Sequence, residues 1–250
     1  MRRSFVLSWV LGLVLLAAWE AAVHFNQTSA LVLPAPSAIW QSLLQGLSSG
    51  YLWPHIATTL TEVVLGLLLG ATLGFAGGVF LGESARWRDV LMPYVVISQV
   101  VPKLALAPLF IVWFGFGTLP TVVITALICF FPLLENTVTC MQQVNPQQLE
   151  LFRMLRASRW QTLWRLKIPA GMPSIFAGLR VAVVLAWVGA VVGEFIGGSK
   201  GLGALIIAAQ GSMDTPLMFA VLTVITVLGL VFYKLTQWLG QLWLPSLKDF

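Results

Sequence analysis

The most constraining feature of this sequence is a series of six long apolar runs, separated by shorter segments that carry most of the charge. Each run offers about the 20 residues that a helix needs to cross the hydrocarbon core of a bilayer. The runs lack the alternation of barrel strands, and a helix satisfies its own backbone hydrogen bonds in lipid. The sequence therefore predicts an all-α, polytopic membrane protein with one transmembrane domain over residues 1–250. The predicted spans are residues 4–25, 56–81, 90–114, 119–141, 173–196 and 217–239, and a long loop, residues 142–172, joins the fourth span to the fifth.

The composition excludes the soluble classes of protein. Charged residues make up 9% of the chain and hydrophobic residues 58%, whereas a soluble domain carries roughly 25% charged residues. So few charges cannot cover a soluble enzyme or a nucleic-acid-binding domain, and the high hydrophobicity excludes disorder. The first span follows Arg2 and Arg3 as a signal peptide would, but it is longer than a signal core and lacks a small-x-small cleavage site. We therefore expect it to be retained.

The distribution of Lys and Arg predicts the topology. With the N-terminus inside, eleven basic residues lie in inner segments and one, Lys200, lies outside. Positive residues concentrate on the cytoplasmic side of membrane proteins, so both termini are predicted to be cytoplasmic. The net charge of +5 is then a topology signal, and membrane lipid rather than nucleic acid is the expected environment. The inner basic residues are Arg2, Arg3, Arg86, Arg88, Arg153, Arg156, Arg159, Arg165, Lys167, Lys234 and Lys248.

A few polar residues interrupt the predicted spans. Lys103 lies in the third span between Pro102 and Pro108, which predict an irregular helix facing the protein interior or a cavity. A lysine at mid-membrane costs about 2.5–3.5 kcal/mol on insertion scales, so it needs a partner or water. The acidic residues available in the spans are Glu62, Glu135 and Glu194. Two interpretations stay open: a glutamate pairs with Lys103 to hold the helices together, or these groups line a substrate path. The candidate path residues are Glu62, Gln99, Lys103 and Glu194.

The second span carries glycines at four-residue intervals, which form a ridge of small residues along the helix. Such ridges let the backbones of neighbouring helices approach closely. The pattern predicts a packing surface, formed by Gly66, Gly70, Gly74 and Gly78.

No catalytic, metal or nucleotide motif is found in the sequence. Residues 193–200 resemble a phosphate-binding loop with its last two residues inverted, but they follow a membrane helix rather than a strand. Their glycines are better explained by a tight turn before residues 204–210. His24 and His55 lack metal-type spacing, and Cys129 and Cys140 are too far apart on one helix for a disulfide. The chain is therefore predicted to be no enzyme, with no catalytic residue, metal or cofactor of its own.

The long inner loop is amphipathic and basic. Pro146 is placed to begin a helix, Ala157 and Ser158 separate it from a second short helix with Ser158 as cap, and Pro169 is expected to end the segment. An exposed helix with apolar and basic sides predicts docking on lipid headgroups or in a groove of a partner protein.

This loop resembles the motif E-A-A, three residues, G, nine residues, I-x-L-P of importer permeases of the ATP-binding-cassette class. Glu150 and Pro169 match, and Leu166 and Ile168 stand at the I and L positions. The two alanines are replaced by Leu151 and Phe152, and the glycine by Arg156. Residues 33–37, 108–117, 131–138 and 197–203 are similar to the nitrate, sulfonate and taurine subfamily.

The resemblance implies the type I importer fold and a multi-pass protein of the bacterial inner membrane. It also implies a homodimer of permeases, cytoplasmic ATPase subunits that bind ATP and Mg, and a periplasmic or lipid-anchored binding protein. The substrate is then a small anion or organic solute of the nitrate, sulfonate or taurine type, or a vitamin precursor such as a thiamine pyrimidine. The alternative is a self-contained secondary transporter or channel. The implied ATPase-coupling residues are Glu150, Arg153, Arg156, Ala157, Ser158, Arg159, Trp160, Gln161, Thr162 and Pro169.

Overall fold

The computed structural model describes residues 2–25, 29 and 31–243, and its regular elements over these residues are helices. Lys248, which the topology prediction uses, lies outside the described residues. The helices are α1 (Arg2–Phe25), α2 (Pro36–Ser48), α3 (Leu52–Glu83), α4 (Ala85–Val100), α5 (Ala107–Phe114), α6 (Thr118–Gln142), α7 (Pro146–Met154), α8 (Arg159–Thr162), α9 (Ile168–Gly197), α10 (Leu202–Gly211) and α11 (Thr215–Trp243). A 3-10 turn (Lys103–Leu106) precedes α5, and a π-helical turn (Leu163–Lys167) joins α8 to α9.

The spans confirm the predicted all-α, polytopic class. Within the described part of the chain, four helices are long and apolar enough to cross a membrane: α3, α6, the helix that runs from Arg159 to Gly197, and α11. The bent pair α4 and α5 supplies a fifth span, and α1 contributes the shorter apolar stretch Val10–Phe25. The six predicted runs thus correspond to four continuous helices, one broken pair and α1.

The third span, predicted over residues 90–114 with an irregular stretch at Pro102, is broken at that proline. The chain leaves helical geometry at Val101 and Pro102, and the helices before and after this break are bent by 76°. Pro102 has no backbone N–H to donate, and its ring disfavours helical geometry in the preceding residue. The third span is therefore two short helices that meet at the position of Lys103.

The predicted loop over residues 142–172 is mostly helical. Pro169 lies in the first turn of α9, directly after the π-helical turn, rather than at the end of the segment. A proline has no N–H to donate, and the irregular hydrogen bonding of the π-helical turn accommodates it there. The helix consequently begins before residue 173, and Pro173 lies inside it. Through the π-helical turn, α8 and α9 form one continuous helix of 39 residues.

The core of the protein is the contact of α6 with α3 on one side and α9 on the other. The glycine ridge of α3 faces α6, where a Cβ atom at Gly66 or Gly78 would lie 2.5 Å from the side chain of Thr125 or Thr137. Where the three helices meet, most of the buried side chains are small, with Ala182, Ala186 and Cys129 among them, and Trp187 is the large exception. Cys129 and Cys140 are free and buried, as predicted. Small side chains here allow three long helices to pack almost backbone to backbone.

Candidate functional site

The structure gathers basic side chains at the end of the molecule where α3 stops and α7 and α8 lie; we call this the basic end. A cleft of about 1010 Å³ runs between the junction of α3 with α4 and the segment α7–α8. Its lining includes Arg153, Arg159 and Trp160 on one side and Phe80 and Glu83 on the other. The side chain of Trp160 is 70% exposed. Large exposed apolar groups beside arginines are typical of surfaces that bind another protein.

The first of the two helices that are predicted to dock, α7, has a local cap. The side chain of Asn145 accepts from the N–H of Gln147 at 2.9 Å, and Pro146 occupies the first turn. After α7 ends at Met154, Arg156 adopts a φ of +51°, in the left-handed region. This is the position at which the resembling motif has glycine, and glycine adopts such a φ without steric cost. The motif's glycine is thus explained by backbone conformation, and Arg156 holds the same turn under strain.

The second of these helices, α8, begins with a capping box. The N–H of Gln161 donates to the hydroxyl of Ser158 at 3.2 Å, and the N–H of Ser158 donates to the Gln161 side chain at 2.8 Å. Reciprocal bonds of this kind satisfy two backbone donors that would otherwise lack acceptors. The break at Ala157 and Ser158 therefore follows the predicted positions. Of the ten residues implied in coupling, Ala157 and Thr162 are half-buried, and the exposed ones are Glu150, Arg153, Arg156, Ser158, Arg159, Trp160, Gln161 and Pro169.

One contact at the basic end has no sequence signal. The Lys167 ammonium forms an ion pair with Glu83, and the two residues are 84 positions apart. Lys167 ends the π-helical turn and Glu83 ends α3, so the pair ties the docking segment to a core helix. A single lysine and a single glutamate that are so far apart form no sequence pattern that predicts their pairing.

At the opposite end, the start of α10 is capped by side chains from two other helices. Its own cap position is Gly201, which has no side chain to accept a hydrogen bond. The hydroxyl of Thr59 on α3 accepts from the N–H of Leu202 at 2.8 Å and donates to Glu194 Oε1 on α9 at 2.6 Å. The N–H of Gly203 donates to the other oxygen of Glu194. His55 Nδ1 also lies 2.9 Å from the carbonyl oxygen of Gly201.

The carboxyl groups of Glu62 and Glu194 adjoin each other and interact directly. Both side chains are 1% exposed, so neither faces solvent in this structure. Glu62 Oε2 is a buried oxygen without a hydrogen-bond partner. Sequence reasoning singled out both glutamates but missed Thr59 and His55, whose spacing of one helical turn on α3 was the available signal.

Lys103 and Gln99 lie at the break in the third span, and both are half-buried. The ammonium of Lys103 donates to the amide oxygen of Gln99. The ion pairs within the described residues are His24 with Glu20, Arg88 with Asp89 and Lys167 with Glu83. The structure therefore joins Lys103 to Gln99 and Glu62 to Glu194, and it brings no described carboxylate into an ion pair with Lys103. Glu135, the third glutamate in the spans, is exposed.

The described residues contain no group of three or more His, Cys, Asp or Glu side chains that could hold a metal ion. The arrangement can thus present a docking surface at one end, fix a loop at the other and place a lysine beside a bend in the membrane.

The sequence is similar to one protein family and to several transport proteins. Residues 64–246 match the family described as "Binding-protein-dependent transport system inner membrane component". The chain is 38% identical to the riboflavin transport system permease protein RibX of Chloroflexus aurantiacus, over 92% of this chain and 86% of the relative. It is 34% identical to the formylaminopyrimidine transport permease protein ThiX of Halalkalibacterium halodurans over 94% of both chains. It is 30% identical to the taurine transport system permease protein TauC of Escherichia coli, over 91% of this chain and 88% of that one.

The fold is similar to a chain in a solved structure of the MetNI methionine ABC transporter in an inward facing conformation. The TM-score is 0.66 at 17% sequence identity, and the match covers 77% of this chain and 94% of the other. At this identity the likeness concerns the arrangement of the helices.

Proposed function

Because the chain belongs to the family of binding-protein-dependent transport system inner membrane components, and so is a permease of the ATP-binding-cassette importers, we propose that its basic end docks a separate ATPase subunit. ATP and Mg then bind to that partner, and this chain contributes no residue to hydrolysis. The observation that carries the proposal is the pair α7 and α8: two capped short helices that expose Trp160 and Met154, 70% and 82% exposed, among arginines. An apolar and basic helix of this kind fits a groove on a protein partner.

The continuity of α8 with α9 gives the docking surface a mechanical role. A displacement of α8 by the ATPase is carried along one helix of 39 residues, about 58 Å at 1.5 Å per residue, to the other side of the membrane. That helix packs against α6, and Lys167 adds a link to the end of α3. Movement of the docking segment therefore reaches the helices of the core. Such coupled rigid-body motion is a common form of switching between two conformations.

The break in the third span supplies the proposed substrate contact. Lys103 and Gln99 offer a cation and an amide at the only described position where two membrane helices meet in a bend. Irregular backbone in a membrane is tolerated where it lines a cavity or is buried in protein. We place these two residues on the translocation path. Glu62 and Glu194, the other candidate path residues, face protein in this conformation and join the path only if α9 moves.

The substrate proposed is a small polar or anionic organic solute. A lysine on the path suits a sulfonate, a phosphate or a polar heterocycle, because each offers an acceptor to an ammonium. The relatives are named for riboflavin, formylaminopyrimidine, taurine and aliphatic sulfonates. A binding protein on the far side of the membrane delivers the substrate, and its own pocket contributes selectivity.

The complete importer then contains two copies of this chain in the bacterial inner membrane, with both termini in the cytoplasm. Apolar side chains on α4, α5 and the turn that follows are strongly exposed, including Val100 at 80%, Val112 at 79% and Phe116 at 79%. Contact with a second copy and with lipid covers such a surface.

The test is purification of the tagged chain from membranes, followed by identification of the proteins retained with it. We expect an ATPase subunit in the wild-type sample and its loss from a variant with Trp160→Ala and Arg159→Glu. Trp238→Ala, at a Trp that is 54% exposed on α11 away from the docking segment, is the matched control and retains the ATPase. Uptake of labelled taurine, riboflavin or formylaminopyrimidine by vesicles then identifies the substrate class. Uptake by the purified chain without an ATPase would instead identify a self-contained transporter or channel.

A further inference from the structure

The glycines after α9 surround the carboxyl group of Glu194. A Cβ atom at Gly201 would overlap the Glu194 carboxyl, and one at Gly203 would lie 2.9 Å from Glu194 Oε2. A Cβ atom at Gly198 would lie 2.8 Å from Glu194 Cα. Gly201 also has a φ of +121°, which side-chain-bearing residues rarely adopt. Gly201 therefore does more than permit a tight turn, because it leaves the space that the carboxyl group fills, and Gly203 lies beside the same group.

The same carboxyl group replaces a local helix cap. The first N–H groups of a helix have no intrahelical acceptor and need one from outside. In α10 the N–H of Leu202 finds Thr59, and that of Gly203 finds Glu194. The hydroxyl of Thr59 in turn donates to Glu194, so the two caps are one hydrogen-bonded unit. Residues from α3 and α9 thus hold α10 by its N-terminus.

Glu62 extends this unit by one turn of α3. It adjoins Glu194, and its Oε2 atom is buried with no partner. Glu194 already receives donors from Thr59 and Gly203, whereas no described donor other than the carboxyl neighbour approaches Glu62. A buried polar group with unmade hydrogen bonds costs free energy. A role beyond stability explains why a carboxyl group occupies this position.

We infer that Glu62 and Glu194 are positioning residues of the importer, which hold the loop Gly198–Gly201 and the start of α10 against α3 at the end of the path opposite the ATPase. The inference rests on the proposed function, because α9 is the same continuous helix whose other end lies in the docking segment. When the ATPase displaces α9 at the docking end, Glu194 at its other end passes the displacement to α3 and α10 through its hydrogen bonds with Thr59 and Gly203. The loop tip, Ser199 and Lys200, is exposed and moves with this unit.

The experiment measures the accessibility of the loop tip in the complex of this chain with its ATPase, reconstituted in vesicles. Lys200→Cys is labelled with a membrane-impermeant maleimide, with and without ATP and vanadate, and the chain without this substitution gives the background of the two buried cysteines. Each of four variants, Glu194→Ala, Glu194→Gln, Glu62→Val and Glu62→Gln, is combined with Lys200→Cys. Thr61→Val is the control, because its hydroxyl is exposed and bonds only within its own helix, to the carbonyl of Ala57.

We expect Glu194→Ala to raise the labelling rate about fivefold, as loss of one to two buried hydrogen bonds predicts, and to abolish the change that ATP produces. Glu62→Val shows a smaller effect of the same sign. Each Gln variant recovers part of the parent behaviour, because an amide at residue 62 donates to Glu194 and an amide at residue 194 keeps one acceptor oxygen. Thr61→Val labels as the parent does.

Parent-like labelling and ATP response in both Glu194→Ala and Glu62→Val overturn the inference, and so does a parent complex whose labelling does not respond to ATP. Gln variants that are no better than Ala and Val also contradict it. If Glu194→Ala does not accumulate in membranes, the labelling rates and ATP responses of Glu62→Val and Glu62→Gln decide whether the inference holds. Failure of the proposed function is distinct: in that case the wild-type chain retains no ATPase, whatever the labelling rate.

Discussion

The Nζ atom of Lys167 lies 2.5 Å from Oε1 of Glu83, across 84 residues of sequence. The lysine closes the π-helical turn between α8 and α9, and the glutamate is the last residue of α3. The two side chains are 16% and 30% exposed, so the pair is partly shielded from solvent. It is one point at which the segment from α7 to the π-helical turn is attached to a core helix other than α9; the packing of Leu163 against Cys140 and Met141 of α6 is another.

Charge reversal at this pair should weaken communication between the ATPase and the core helices. Lys167→Glu or Glu83→Lys alone places two like charges together. We expect each variant to lower the ATPase rate that the binding protein stimulates by about three- to fivefold. This corresponds to roughly 1 kcal/mol for a partly exposed pair. The double reversal restores most of the rate, because the attraction returns with opposite polarity. The control is the pair of Arg88 and Asp89, which are sequence neighbours with side chains 27% and 73% exposed, and its double reversal leaves the rate within about twofold. No recovery in the Lys167 and Glu83 double variant would contradict this link.

Two glycines of α3, one in the ridge and one beside it, should respond differently to an added methyl group. A Cβ atom at Gly70 meets the backbone of Ala126, which cannot move aside, whereas one at Gly77 lies 3.3 Å from the flexible end of Leu134. Both substitutions to Ala gain the same helix propensity, about 1 kcal/mol. We therefore expect Gly70→Ala to destabilise the chain by about 1–3 kcal/mol through overpacking, and Gly77→Ala to be neutral or stabilising. Unfolding of the purified chain in mixed micelles measures both, and equal midpoints for the two variants are inconsistent with a backbone contact at Gly70.

Replacement of Arg156 by glycine should stabilise the chain. The residue has a φ of +51°, and relief of left-handed strain is worth about 1 kcal/mol. Arg153→Gly is the matched control, because it removes the same side chain from the last turn of α7, where glycine costs up to about 1 kcal/mol in helix propensity. Differential scanning of the purified chain without its ATPase separates this effect from docking. A lower midpoint for Arg156→Gly than for wild type rules out strain at this turn.

Substitution of Lys103 should change stability and transport in opposite directions. Lys103→Met removes a membrane-embedded cation that costs about 2.5–3.5 kcal/mol on insertion scales, so the variant should accumulate at least as well as wild type. Transport of an anionic or polar substrate should fall about tenfold, because one charge-assisted hydrogen bond is lost. Lys103→Arg keeps the charge and retains more activity than Met. Uptake in vesicles, normalised to the amount of protein in the membrane, tests the prediction; full uptake by Lys103→Met removes this residue from the path.

Several features could be predicted from neighbouring residues alone. The runs of apolar residues predicted the spans, since about 20 such residues suffice to cross a bilayer whatever their neighbours are. Pro146 and the cap residue Ser158 predicted the starts of α7 and α8, because such signals act within one turn. The regular glycines of α3 predicted a close helix contact but not that α6 makes it.

Other features needed positions far apart in the chain. The sequence showed that Lys103 and three glutamates are unusual in a membrane, but not which of them meet; the structure joins Lys103 to Gln99 and Glu62 to Glu194. The prolines indicated an irregular third span, yet the bend of 76° follows from how both halves pack. Pro169 was expected to end a segment and instead lies where the π-helical turn passes into α9. Proline occurs both at the end of a segment and at such a turn, so the sequence alone does not distinguish the two.

The sequence by itself determined that this chain is a helical membrane protein, where its spans lie and which segment resembles a docking motif, because hydropathy and capping act over one or a few turns. Only the tertiary structure decided that Thr59 and Glu194 cap α10 together, that glycines make room for a carboxyl group, and that Lys167 meets Glu83. Those contacts depend on the angles and offsets at which long helices cross. A shift of one residue along a helix turns each side chain by about 100°, so such pairings are fixed by the packed structure and not by any local pattern.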